Sequence, residues 1–140
     1  MYKLFIADDE AIIREGLRCL LDWETLGFTI AGEAANGDAA LQFLLSETPD
    51  LVLLDIRMPG MSGLDVVRIA REHGYDGKVV ILSGYSDFNY ARTAIRYGVL
   101  SYLTKPIDED ELLEIVSQIR NQLDSDASAR DSSAHYRQKA

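Results

Sequence analysis

Pro49-Asp50-Leu51-Val52-Leu53-Leu54-Asp55-Ile56-Arg57-Met58-Pro59-Gly60-Met61-Ser62-Gly63 is the stretch on which the fold turns. Leu51 to Leu54 is an unbroken apolar run between Pro49-Asp50 and the turn residues that follow Met58. Without polar alternation, such a run suits a strand buried on both faces, as in a parallel sheet covered by helices. An acid stands where the run stops. Ligands bind at the carboxyl ends of strands in open parallel sheets, so Asp55 occupies a position where chemistry is expected. A turn or capping aspartate is the ordinary alternative there, and the rest of the chain decides between the two.

Four further segments read as strands. Leu4-Phe5-Ile6-Ala7 leads into Asp8-Asp9-Glu10, and Phe28 to Ala34 suits a second strand. Lys78 to Leu82 runs into Ser83-Gly84, and Val99 to Leu103 into Thr104-Lys105-Pro106. Helical spacing falls between them. Ile12, Ile13, Leu17, Leu20 and Leu21 mark one helix; Ala40, Leu41, Leu44 and Leu45 mark the next, after a start at Asn36-Gly37-Asp38. Leu64, Val67 and Ala70 form a third, closed by Gly74. The fourth, from about Asp87 to Tyr97, has only the weak stripe Ala91, Ala94 and Ile95 and ends at Gly98. The last starts with the acids from Asp108 to Glu111, favourable at a helix N-terminus, and continues through Leu112, Val116, Ile119 and Leu123. Asp8 or Asp9 would serve as N-cap of the first helix, which leaves a run of three acids unexplained.

Five strands alternating with five helices predict an α/β domain: a doubly wound parallel sheet with right-handed crossovers and helices on both faces. The topology would then collect four strand ends on one edge: Asp8 with Asp9, Asp55, Ser83 and Lys105. Gly63, in the loop after Asp55, is expected to serve backbone geometry rather than chemistry.

The chain's 140 residues, 47% hydrophobic and 26% charged, fit one domain with a sizeable core. No apolar run approaches the roughly 20 residues of a membrane span, and Met1 to Asp8 lacks a signal peptide's long apolar region, so a cytoplasmic protein is expected. The lone Cys19 excludes an intramolecular disulfide and is expected to be a small buried hydrophobe. Residues 1–123 hold 20 acids against 11 Lys and Arg, whereas 124–140 hold three of each, so the net charge of -9 lies wholly in the first part. That balance argues against direct nucleic-acid binding by residues 1–123. The segment 124–140, rich in Ser, Ala and Asp with no apolar period, reads as a flexible tail or linker. His73, by a turn, and His135, in that tail, offer no histidine metal site.

Clustered carboxylates without histidine or cysteine suit a hard, oxygen-seeking cation such as Mg²⁺. An aspartate beside such a metal can attack phosphorus to give an acyl phosphate, while metal and lysine neutralise the transferred group. Lys105 supplies the second cation, and the Ser83 hydroxyl can donate to a phosphoryl oxygen. Taken singly, Ser83 is a strand-end turn residue and Lys105 a surface lysine; together with Asp55 both point to phosphoryl chemistry.

Through Asp8-Asp9, Asp55 with its Met-Pro-Gly-Met-Ser-Gly loop, Ser83-Gly84 and Lys105-Pro106, residues from Tyr2 to Leu123 resemble the receiver domain of two-component response regulators. The resemblance implies a flavodoxin-like (βα)5 fold with strand order 2-1-3-4-5 and a phosphoacceptor at Asp55. It implies Mg²⁺ held by Asp9, Asp55 and the Arg57 backbone carbonyl, with Asp8 assisting through water. Lys105 is then assigned to the phosphoryl group, Ser83 to the switch hydroxyl, Tyr102 to the switch aromatic and Pro106 to a cis peptide. For Tyr102, strand packing is the competing role. The implied partner is a sensor histidine kinase. The weak stripe of the fourth helix, Tyr102 beside it, and Arg92 and Arg96 near an acidic helix start lead to the expectation of a phosphorylation-dependent homodimer through the fourth helix, fifth strand and fifth helix. The family's charge pattern for this face is not clearly reproduced.

Gly84-Tyr-Ser-Asp-Phe-Asn-Tyr-Ala-Arg92, with the stretch from Tyr97 to Pro106, is similar to receivers that precede AraC-type DNA-binding domains. DNA would be reached only through such an output domain, absent from this chain. The expectation is therefore a fragment of a longer regulator ending in its linker, with a stand-alone receiver as the other reading. Rival classes fit less well. A haloacid-dehalogenase-type phosphatase needs a second Asp two residues after its nucleophile, and Asp8-Asp9-Glu10 has the wrong spacing. A flavin carrier needs a Ser/Thr/Gly-rich phosphate loop where these acids stand. A phosphorylation-independent receiver would typically lack an acid or the lysine. The expected activity is that of a switch, with at most slow self-phosphorylation and self-dephosphorylation, rather than of an enzyme.

Overall fold

The computed structural model describes residues 1–84 and 88–139, with side chains left undescribed at 88–91 and 130–139. Tyr85 to Asp87, which includes the expected start of the fourth helix, and the side chains of Ala91 and His135 lie outside the described set.

In chain order the elements are β1 (Tyr2–Ala7), α1 (Ala11–Leu20), β2 (Phe28–Ala34), α2 (Gly37–Glu47), β3 (Leu51–Asp55), α3 (Gly63–Glu72), β4 (Lys78–Ser83), α4 (Phe88–Arg96), β5 (Ser101–Thr104) and α5 (Glu109–Lys139). The five strands form one sheet in the order β2-β1-β3-β4-β5, and each neighbouring pair is parallel. This is the flavodoxin-like order expected from the sequence.

Side chains alternate across a strand, so each apolar run feeds two cores. Phe5, Ala7, Val52, Leu54, Val79 and Ile81 point to one face, where they meet Ala40 and Leu44 of α2, Val67 and Ala70 of α3 and Ala94 of α4. Leu4, Ile6, Leu51, Leu53, Val80 and Leu82 point to the other, against Leu17 of α1 and Leu112, Val116 and Ile119 of α5. The central strands need no polar alternation because both faces are covered.

Several inner-face expectations are corrected. Ile12 is 75% exposed and Ile95 74% exposed, and Leu45 is also exposed; Phe43 stacks on Phe5 beside it, with ring centroids 4.2 Å apart. Cys19 is exposed rather than buried. At 100° per residue it lies two positions, or about 200°, from the buried Leu17, and so on the solvent side. Neither Asp8 nor Asp9 caps α1: the N-cap is Glu10, without a side-chain cap bond. Asn36 and Ser62 do cap α2 and α3, accepting from the Ala39 and Asp65 N–H groups. At the far end of α4, Arg71 donates to the carbonyls of Tyr97 and Gly98 at 3.0 and 3.3 Å, so α3 supplies a cation where the α4 dipole is negative.

The last helix runs past its apolar stripe. Instead of stopping at Leu123, α5 continues to Lys139. No Gly or Pro interrupts residues 124–139, and polar contacts tie the first part of the extension to the domain. Tyr2 OH donates to Asp124 at 2.5 Å, and Lys78 pairs with Asp126 at 3.1 Å. Arg120 reaches across to the Leu26 carbonyl. Its guanidinium occupies the space where a side chain at Gly27 would lie, 2.0 Å from an ideal Cβ there. Among the described residues no helix is long and apolar enough to cross a membrane.

Candidate functional site

In this strand order the chain leaves β1 in one direction to β2 and the other to β3, which opens a crevice at the carboxyl ends of β1 and β3. Asp8 and Asp9 follow β1, and Asp55 ends β3. Each offers a carboxylate oxygen, and the three oxygens lie within 4.8 Å of one another. Asp8 and Asp55 are 1% and 6% exposed, whereas Asp9 faces solvent. An all-carboxylate donor set fits a hard cation such as Mg²⁺, and no sulfur or imidazole competes within it.

Lys105, just past β5, brings the opposing charge. Its Nζ lies 2.6 Å from Asp8 Oδ2 and 3.5 Å from Asp55 Oδ2, joining the two buried acids across the crevice. Burial works to lower the Lys105 pKa, but the Asp8 hydrogen bond and the charges of Asp55 and Asp8 outweigh it, and the net direction is upward. Burial pushes the Asp55 carboxyl from 3.8 up to about 6; Lys105 opposes the rise, and Asp8 and Asp9 add to it. Near neutral pH Asp55 is therefore still mostly ionised.

The remaining expected residues fall around this centre. Ser83, 1% exposed, ends β4 and is in register with Thr104 of β5. The Lys105 N–H donates to the Ser83 carbonyl at 2.6 Å, joining the two strand ends. The Lys105-Pro106 peptide is cis. Tyr102 is half-buried and packs against the α2/α3/α4 core. Gly63 is needed for close approach: a Cβ there would lie 2.1 Å from the Asp55 carbonyl oxygen, and its N–H donates to the Ile56 carbonyl at 2.7 Å. Arg57 is exposed in the loop after Asp55. It borders an open cleft of about 480 Å³ that includes Asp9, Met58, Pro59 and Leu64 and gives a reactant room to approach.

Sequence reasoning placed Arg14 and Glu33 on no site, yet Arg14 reaches it and Glu33 holds Arg14. Arg14 Nη1 donates to the Asp8 backbone carbonyl at 2.6 Å, and its Nε to Glu33 Oε1 at 3.2 Å. The available signal was a basic residue one turn into the helix that follows the acids.

Fold and site thus define a doubly wound α/β domain with a carboxylate and lysine centre at the carboxyl edge of its sheet. The chain belongs to the response regulator receiver domain family, whose model matches residues 4–117. It is 36% identical over 126 residues to the uncharacterized transcriptional regulatory protein YesN of Bacillus subtilis, covering 87% of this chain and 34% of that protein. It is 40% identical over 119 residues to the transcriptional regulatory protein HptR of Staphylococcus aureus, covering 85% and 46%. The chain thus spans about a third to a half of these relatives. Among solved structures, the REC domain of AraT, a response regulator from Geobacillus stearothermophilus, is 39% identical with a TM-score of 0.83, covering 90% of this chain and 98% of that one.

Proposed function

We propose that this chain is a phosphorylation-activated signalling switch that takes a phosphoryl group onto Asp55 from a sensor histidine kinase. The observation that carries this reading is Lys105 Nζ between the buried carboxylates of Asp8 and Asp55 at the carboxyl edge. Mg²⁺, when bound, neutralises charge on the group being transferred. Asp9, Asp55 and the Arg57 carbonyl would hold it, with Asp8 acting through water. The ionised Asp55 carboxylate attacks phosphorus; an O–P bond forms as the P–N bond of a phosphohistidine breaks, and the electron pair of that bond leaves with the imidazole nitrogen. Lys105 balances the phosphoryl charge left on Asp55. The Ser83 hydroxyl donates to a phosphoryl oxygen, and Tyr102 follows the change at β5.

Its chemistry is stoichiometric, so the domain acts as a switch with at most slow self-phosphorylation and self-dephosphorylation. Residues 1–123 form the receiver unit in this proposal, and 124–140 connect it to an AraC-type output domain through which DNA is reached. The transcriptional regulatory names of YesN and HptR support an output in transcription. Phosphorylation favours a homodimer through α4, β5 and α5, in a cytoplasmic protein. The test is intact mass after incubation with acetyl phosphate and Mg²⁺. Wild type is expected to gain one phosphoryl group and Asp55→Asn none; a gain by Asp55→Asn rejects the assignment.

A further inference from the structure

Asp8 is held from three directions. Its Oδ2 accepts from Lys105 Nζ at 2.6 Å and its Oδ1 from the Glu10 N–H at 2.9 Å, while its backbone carbonyl accepts from Arg14 Nη1 at 2.6 Å. The third contact acts on backbone. The Asp8 carbonyl belongs to the peptide that joins Asp8 to Asp9, and because a peptide unit is planar, fixing its oxygen fixes the bond from which Asp9 departs. Arg14 is itself held: its Nε donates to Glu33 Oε1 at 3.2 Å, and the other Glu33 oxygen takes Arg18. Glu33 lies on the edge strand β2, in register with Ile6 of β1. One rigid, forked guanidinium therefore ties α1, β2 and the loop after β1 together.

We propose that Arg14, buttressed by Glu33, is a positioning residue for the cation site: by pinning the Asp8-Asp9 peptide it aims the exposed Asp9 carboxylate at the group formed with Asp8 and Asp55. This inference rests on the reading of those three acids as the Mg²⁺ site. Charge and geometry predict opposite signs for it. As a mere nearby cation Arg14 repels Mg²⁺, and its removal should tighten binding. As a positioning residue it holds a ligand in place, and its removal should weaken binding even though a positive charge is lost.

The experiment titrates the 140-residue chain with Mg²⁺, reading the melting temperature and, independently, the heat of binding. Supporting residues behind metal ligands typically contribute about tenfold or more to affinity, so Arg14→Gln is expected to raise the Mg²⁺ dissociation constant by about that factor. Its phosphorylation rate with acetyl phosphate should return towards wild type at saturating Mg²⁺. Arg14→Lys keeps the charge but not the fork and should also weaken binding. Arg18→Gln, which touches Glu33 but not the Asp8 carbonyl, should stay near wild type. Mg²⁺ binding by Arg14→Gln as tight as wild type or tighter overturns the proposal; if that variant does not fold, the same outcome in Arg14→Lys does so. A wild type with no Mg²⁺ response at all removes the metal site itself and the inference with it, a different failure from a responsive wild type and an equally responsive variant.

Discussion

Burial makes the charged form of Asp55 costly in the folded domain. Its carboxyl sits among core residues with two more acids nearby, and burial holds its pKa at about 6 despite Lys105. Because the folded value lies above the unfolded one, the folded state binds the extra proton. The group's contribution to stability is complete below the unfolded pKa and is lost as pH rises through about 6. A shift of about two units corresponds to at most roughly 3 kcal/mol, and to less after solvent screening. In EDTA, wild type is therefore expected to lose stability between about pH 4 and pH 7 relative to Asp55→Asn, which cannot ionise. Denaturant melts across that range check it; parallel curves for the two proteins would refute a raised Asp55 pKa. Most of this residue-scale picture was legible. Asp8, Asp55, Ser83 and Lys105 each follow a strand run, so assigning the strands assigned the edge. Arg14 was not, because a helix pattern reports which face is polar and not which carbonyl a long side chain reaches.

Elements were legible where two periods agreed and less so where one face had no apolar partner. The strands and α2, α3 and most of α5 read directly, since their buried positions follow a period of 2 or 3.6. Ile12 and Ile95 were misplaced because helical spacing does not say how much of a stripe the sheet covers. The extension of α5 was missed for a related reason. Among the described side chains, residues 124–129 bury no apolar stripe that a pattern could reveal, while the Asp124 and Asp126 contacts join residues far apart in sequence. Amides 124–129 are therefore expected to show hydrogen-exchange protection continuous with the preceding turn of α5. Replacing Tyr2 with Phe should lower that protection by removing the Asp124 partner. Exchange of 124–129 at free-chain rates in wild type would instead support the flexible-tail reading.

At the scale of the molecule, the sheet separates the site at one edge from the departure of the chain along α5. The proposed dimer face lies between them, with Ile95 exposed, Arg92 and Arg96 on the same helix, and acids Glu109, Asp110 and Glu111 in the first turn of α5. Opposite charges repeated across a two-fold axis make such a face self-complementary. Sedimentation with Mg²⁺ and beryllofluoride is expected to show a shift from monomer to dimer that Arg96→Glu abolishes; unchanged mass rejects the dimer without touching the phosphoacceptor. All of these effects depend on where the phosphoryl group goes. The most direct measurement is to phosphorylate the chain with acetyl phosphate and Mg²⁺, reduce the acyl phosphate with borohydride, and map the reduced side chain by peptide mass spectrometry. The account predicts one reduced position, Asp55; reduction at Asp8 or Asp9 instead, or a phosphoryl group that resists borohydride on Ser83, would contradict it.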